Sequence, residues 1–222
     1  MIDLSWLPNV ANKKIVLASA SPRRRELLSQ MGVRFEVVPT LADDCVDPYE
    51  YRLAQSYVSE TAEMKAEEVW ERCQNDPSLP DADIVIAADT VINASPGHCD
   101  ILNKPGNAGH AEVMLSALSG KEHQVLTGVH IIFSDKSWGA GNYREKHFVE
   151  GTMVKFAEID PDLMKAYIAS GEPFDKAGGY GIQGPAAMFI ESIEGDYYNV
   201  VGLPIHRLYQ ELRDIEQVYQ RH

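Results

Sequence analysis

Apolar and polar residues follow one another in blocks along the chain, and the spacing inside each block predicts strand or helix. Ile15 to Ala18 is a short, wholly apolar run of buried-strand type that leads through Ser19 and Ala20 into Ser21 and Pro22. Serine is a favoured N-cap and proline a favoured first helical residue, so a helix is expected there. Leu27, Leu28 and Met31 supply its apolar face, and Gly32 stands at a typical stop position. Phe35 to Pro39 reads as a second strand. Val58, Ala62, Ala66, Val69 and Cys73 recur at helical intervals and predict one long helix over about Pro48 to Cys73.

Asn75 to Asp83 is rich in turn residues, and Ile84 to Ile92 is a strand-like apolar run broken at Asp89 and Thr90. Asn93 to Asp100 reads as a hairpin loop, and Asn107 is placed to cap a helix that Gly120 ends. His123 to Phe133 and Phe148 to Phe156 are strands, separated by an exposed loop from Ser134 to Lys146. Asp160 and Pro161 open a helix that Gly171 closes. Ala187 to Ile193 and Tyr197 to Val201 read as two strands around a Gly195-Asp196 turn, and Pro204 starts a C-terminal helix. Strands and helices alternate early and strands cluster later, which favours an α/β fold built on a mixed sheet.

The 222 residues suit one large domain or two small lobes, and a composition 45% hydrophobic and 24% charged excludes wholesale disorder. No apolar run is long enough to span a bilayer, and the first residues lack a basic segment followed by an apolar one. Cys45, Cys73 and Cys99 form no CxxC pair, so neither a disulfide framework nor a zinc knuckle is expected, and a reducing, cytoplasmic setting is the default. Net charge is −13, which repels nucleic acid and anionic membranes unless basic groups cluster locally.

They do cluster. Arg23, Arg24 and Arg25 occupy the first turn of the helix that starts at Pro22. That is the wrong sign for a helix N-terminus, whose unpaired amides and dipole favour anions. Either a bound polyanion such as a phosphate chain compensates, or the arginines pair with surface carboxylates. Lys65 falls in the apolar seam of the long helix, so its ammonium either snorkels outward or meets an anion. Asp89 closes an apolar strand, where a carboxylate can hold a divalent cation, activate water, or cap a turn. Asp175 to Gly184 carries four glycines together with Asp175, Lys176 and Gln183, and reads as a tight turn or as backbone that approaches a ligand closely. It is neither a P-loop nor a dinucleotide fingerprint. The histidines lack HExxH spacing and there is no GxSxG, so zinc hydrolases and α/β-type serine hydrolases find no support.

Five ordered motifs resemble the Maf family: SASPRR from Ser19 to Arg24, Ala88-Asp89-Thr90, Lys104-Pro105, DKAGGYGIQG from Asp175 to Gly184, and YNVVGLP from Tyr198 to Pro204. The likeness runs from about Lys14 to Leu212. It implies a single catalytic domain over residues 1–222, with the inosine triphosphatase-like fold: an elongated mixed sheet, surrounding helices, and two lobes with a central cleft between them. It implies hydrolysis of nucleoside triphosphates to the monophosphate and pyrophosphate, with Mg²⁺ or Mn²⁺, in a homodimer. The AGGYGIQG form of the loop resembles the branch acting on dTTP, UTP and modified pyrimidine nucleotides. The alternatives are the branch acting on 7-methyl-GTP, and a nucleotide-binding regulator of cell division without turnover.

By the same resemblance, Ser19, Arg23, Arg24 and Lys65 bind the triphosphate. Ser21 holds their loop in shape. Asp89, Lys104 and Gln183 are catalytic, and Asp89 with Asp44 (or Asp43) holds the metal. The hairpin around Pro96 to His98 and the Ser134 to Lys146 loop are longer than the family pattern suggests.

Overall fold

A computed structural model describes residues 6–42, 46–135 and 142–221. Among them a seven-stranded mixed sheet forms the frame, with the order β2-β1-β3-β5-β6-β7 and β4 added beside β3. Its strands are β1 (Ile15–Leu17), β2 (Phe35–Val37), β3 (Ile84–Asn93), β4 (Ile101–Leu102), β5 (Glu122–Ser134), β6 (Tyr143–Phe156) and β7 (Ile190–Glu194). The helices are α1 (Pro8–Ala11), α2 (Pro22–Gln30), α3 (Ala54–Asn75), α4 (Ala108–Leu118), α5 (Pro161–Ala169), α6 (Tyr197–Val201) and α7 (Ile205–Gln220). β1 runs parallel to β2 and β3, whereas β3, β5, β6 and β7 are antiparallel neighbours. No helix of the described residues is long and apolar enough to cross a membrane.

Strand alternation divides the long strands cleanly. Val85, Ala87 and Val91 of β3, with Leu126 and Ile132 of β5, face α3 and pack on Val58, Ala66, Val69 and Trp70. Ile84, Ile86 and Ala88, with Val129, Ile131 and Phe133, face the other way onto α2 and α7 through Leu27, Leu28, Leu208 and Leu212. Farther along that second face a separate core gathers Ile92, Val125, Val154 and Phe156 under α4 and α5. Between the two cores the apolar stripe is interrupted by Thr90 and Thr127, whose hydroxyls lie 3.0 Å apart.

β1 covers β3 at residues 84–86, and β4 covers the same edge at residues 92–93. The stretch between them therefore has a sheet neighbour on its β5 side alone. That gap in the sheet edge, around Asp89 and Thr90, is where the cleft opens.

Several sequence expectations are corrected here. The long helix begins at Ala54 rather than Pro48. Asp47 caps a separate single turn, Pro48–Glu50, and the extended backbone at Tyr51 and Leu53 breaks the run. β3 is not broken at Asp89 and Thr90 but continues through both, since β5 pairs with every residue from Ile84 to Asn93. Asp89 is thus mid-strand and does not close the strand. β6 starts at Tyr143, inside the segment read as loop, while residues 136–141 of that loop lie outside the described residues. Residues 185–189 form a tight helical turn before β7.

Tyr197 to Val201 is helical rather than a second hairpin strand. Asp196 accepts from the Tyr198 amide at 2.8 Å and starts the turn. Asn199 then sends its side-chain amide to the Val125 carbonyl and the Thr152 hydroxyl, both at 3.0 Å. These tertiary bonds override the strand preference of Tyr and Val.

Candidate active site

Three segments converge on the gap in the sheet edge and enclose a cleft of about 540 Å³. The first is the turn from β1 into α2. Ser21 is the N-cap of α2, its hydroxyl accepting from the Arg24 amide, and Pro22 follows as the first helical residue. Ser19 is buried; its hydroxyl accepts from the Ser21 amide at 3.2 Å and from Arg24 Nη1 at 3.2 Å. A hydroxyl that accepts twice still carries its own proton, available to an oxygen in the cleft.

Arg24 ties this turn to two other elements. Its Nε donates to the Gly202 carbonyl at 2.9 Å and its Nη2 to Thr90 Oγ1 at 2.9 Å. Thr127, paired with Thr90, donates to the Asn199 carbonyl at 3.1 Å. The YNVVGLP segment therefore supplies the carbonyls that fix Arg24 and Thr127. Arg25 is exposed and does not line the cleft, so two of the three arginines reach it.

The second segment is the middle of β3 with α3 behind it. Asp89 lies on the α3 face, opposite Gly128 of β5. Lys65 projects from α3 and its Nζ lies 2.8 Å from Asp89 Oδ1. Lys65 is 7% exposed, so its ammonium meets an anion rather than snorkelling out. The approach of α3 is set by Gly128: a Cβ built there would lie 2.4 Å from the Val58 carbonyl oxygen. Any larger residue at position 128 would push the helix, and Lys65 with it, away from the strand.

The third segment is the Gly-rich loop. Arg23 Nη1 meets Asp175 Oδ2 at 2.9 Å, and Lys176 Nζ meets Asp175 Oδ1 at 2.6 Å. Burial raises the Asp175 carboxyl, but hydrogen bonds from Lys176 and Arg23 outweigh it and hold the group below its usual value. One of the two expected partners of an arginine cluster, a protein carboxylate, is thus present for Arg23. Gly178 has φ +63°, donates to the Asn103 carbonyl at 3.1 Å, and leaves no room for a Cβ against Ile92. Gln183 and Lys104 are exposed on the cleft wall.

The cleft therefore gathers Ser19, Arg23, Arg24, Lys65, Asp89, Lys104 and Gln183 from five separated stretches of the chain. Asp44 and Asp43 lie outside the described residues. Sequence reasoning missed Thr90 as the acceptor for Arg24, and Gly128 and Asn199 as the supports of Asp89 and Thr127. A lone glycine inside the apolar strand from His123 to Phe133 was the available signal for Gly128.

Arg24→Lys is expected to lower kcat/KM for a triphosphate substrate by about 10- to 100-fold, as losing ~1.5–3 kcal/mol of charged hydrogen bonding would do. An ammonium cannot hold Ser19, Thr90 and Gly202 at once from fixed directions. Steady-state kinetics with unchanged secondary structure checks it; wild-type kcat/KM would mean that the three-way tie is not what fixes the turn.

Comparison with known proteins places this arrangement. Residues 14–215 match the family described as Maf-like protein. The probable bifunctional dTTP/UTP pyrophosphatase/methyltransferase protein of Homo sapiens is 45% identical over 213 residues, covering 96% of this chain and 34% of its own. The chain thus spans about a third of that relative's length. The dTTP/UTP pyrophosphatase of Agathobacter rectalis is 44% identical over 208 residues, covering 91% of this chain and 97% of its own. A dTTP/UTP pyrophosphatase of Bacillus cereus is 44% identical over 201 residues, covering 90% and 89% of the two chains. With the N-terminal, central and C-terminal motifs meeting in one cleft, and a family match over nearly all of its length, the chain belongs to the Maf-like proteins.

Proposed function

We infer that the protein is a nucleoside triphosphate pyrophosphatase acting on dTTP, UTP and modified pyrimidine nucleotides, releasing the nucleoside monophosphate and pyrophosphate. The observation that carries this reading is Asp89, a carboxylate held by Lys65 in a cleft that the arginine-bearing start of α2 also lines. The names of the relatives at 44% identity over about nine-tenths of this chain support the substrate class.

At neutral pH a triphosphate carries nearly four negative charges. Arg23, Arg24, Lys104 and the first-turn amides of α2 offset that charge and fix the phosphate chain. Ser19 adds a hydroxyl donor. Asp89 accepts a proton from the attacking water and aims it at the α-phosphorus, in line with the pyrophosphate leaving group. Gln183 contributes a neutral amide that orients either the water or a phosphate oxygen. Most of the catalysis is positioning and charge stabilisation rather than covalent chemistry.

A divalent cation, Mg²⁺ or Mn²⁺, fits this donor set. The described residues hold no group of three His, Cys, Asp or Glu that could build a cage. Among the described residues, Asp89 and Asp175 are the carboxylates that line the cleft, and Asp175 already joins Arg23 and Lys176. One carboxylate plus phosphate oxygens and waters is the coordination Mg²⁺ commonly accepts. Asp89 would hold the ion, with Asp44 as the second carboxylate. Such an ion, when bound, neutralises phosphate charge and lowers the pKa of nearby water. The reading also includes a homodimer and a cytoplasmic location, checked by light scattering and by fractionation.

The test is pyrophosphate release from dTTP, UTP, CTP, ATP, GTP, ITP and 7-methyl-GTP, with and without Mg²⁺. Metal-dependent turnover of dTTP and UTP is the expected result. Turnover of 7-methyl-GTP alone would keep the chemistry and overturn the branch. Nucleotide binding with no turnover by the folded protein would overturn the enzyme and favour the regulator.

A further inference from the structure

We propose that His123 is a positioning residue of this site: through a buried hydrogen bond to the Tyr180 hydroxyl it pins the Gly-rich loop and so holds Gln183 in the cleft wall. The proposal rests on the pyrophosphatase reading for its kinetic readout, though not for its structural one.

His123 is an inward residue of β5 with 0% exposure, and its Nε2 lies 2.7 Å from the Tyr180 hydroxyl. The two rings meet edge to face at 5.4 Å, and each also packs against Phe156 at 4.8 Å. His123 Nδ1 has no hydrogen-bond partner among the described residues. An imidazole with one nitrogen unpaired costs stability in an apolar core, where a leucine of similar volume would not. What the imidazole adds is a directional bond to a single atom, the Tyr180 hydroxyl. Burial keeps it neutral, its pKa pushed down to about 4, so the bond persists across the neutral range.

Tyr180 is flanked by glycines on both sides, in a stretch of permissive backbone. Gly178 and Gly179 have φ of +63° and +74°, and Gly181 follows. Glycines lower the barrier to alternative backbone states, so side-chain anchors must select one. Two anchors do so, one in each of the two cores on this face of the sheet. Tyr180 enters the core that contains Phe156 and Phe189, whereas Ile182 packs on the core that contains Leu208 and Leu212. Gln183 follows immediately, exposed to the cleft. The loop thus bridges the two cores across the Thr90–Thr127 interruption, and the Tyr180–His123 bond fixes its rotation about that bridge.

Tyr180→Phe deletes one oxygen and keeps the ring. Its expected signature is a fall in kcat for dTTP of about tenfold or more with KM changed less than about threefold, the pattern of a lost transition-state contact. Amide exchange at residues 178–184 should quicken by about tenfold or more, with β3 and β5 unchanged. In a Gln183→Ala background Tyr180→Phe should add less than about twofold, because the two act through one contact. His123→Gln, whose amide can reach the hydroxyl, should recover most of the kcat that His123→Leu loses.

Wild-type kcat and exchange in Tyr180→Phe would overturn the proposal. So would a lowered Tm with kcat and KM intact, or effects of Tyr180→Phe and Gln183→Ala that multiply independently. If the wild-type protein releases no pyrophosphate, the pyrophosphatase reading fails by itself, and the exchange measurement still decides whether the loop is pinned.

Discussion

Asp89→Asn is expected to leave a folded protein that releases pyrophosphate at least about 100-fold more slowly, the lower end of what general-base catalysis contributes. Asparagine has nearly the same shape and keeps an oxygen for Lys65 Nζ, which lies 2.8 Å from the native carboxylate. The sheet register around position 89 is set by backbone pairing to Gly128 and does not depend on the charge. What is lost is the group that can take a proton from water or hold a cation. Because Lys65 is buried, its ammonium then faces a neutral amide, and removing one member of a buried pair is destabilising. A Tm lowered by a few degrees accompanies the kinetic loss without explaining it. Turnover within threefold of wild type would remove Asp89 from the chemistry.

Lys65→Met separates two roles for the lysine. A lysine that binds phosphate raises KM when removed. A lysine that orients Asp89 lowers kcat. With its ammonium on Asp89, Lys65→Met should lower kcat more than it raises KM.

The local signals in the sequence describe the chemistry better than the frame that carries it. Ser21 and Pro22 announce the start of α2, Asn107 that of α4, and Asp160 that of α5, because each cap is a contact between near neighbours. The wrong-signed arginines at α2 and the lysine in the α3 seam likewise mark the cleft by violating local preference. Expectations failed where distant contacts decide. Tyr197 to Val201 has strand-forming side chains, yet Asn199 is drawn to Val125 and Thr152, residues 74 and 47 positions away, and the segment turns helical. The sequence pattern puts Asp89 at a strand end, because a charge ordinarily ends an apolar run. The strand passes straight through, since a full-length partner, β5, satisfies its backbone on the other edge. The opening that Asp89 needs comes instead from β1 and β4 sharing one edge with a gap between them. No local pattern encodes that gap.

Gly128→Ala tests the frame itself and should lower both stability and activity. The added Cβ would stand 2.4 Å from the Val58 carbonyl oxygen, 2.8 Å from its carbon and 3.2 Å from the Ser59 nitrogen. All three are backbone atoms of α3, so no side-chain rotation relieves the contact. The helix must retreat by roughly an ångström to reach ordinary van der Waals separation. Overfilling a packed contact costs about 1–3 kcal/mol, and alanine's lower freedom in the unfolded chain returns only about 0.4–1. The net cost of up to about 2.6 kcal/mol lowers Tm by up to about 10 °C for a chain of this size, at about 2–4 °C per kcal/mol. Lys65 lies on the same helix, two turns beyond Val58, so the retreat carries its ammonium away from Asp89. Displacements of about an ångström at a reacting group can cost up to 100-fold, so kcat should fall by at least about tenfold. Gly106→Ala is the control, since its Cβ would meet nothing within 4 Å. If Gly128→Ala matches Gly106→Ala in Tm and kcat, close approach of α3 to β5 is not what sets the Lys65–Asp89 pair. If Tm falls while kcat holds, the glycine serves packing alone, and the pair must be positioned from the strand side.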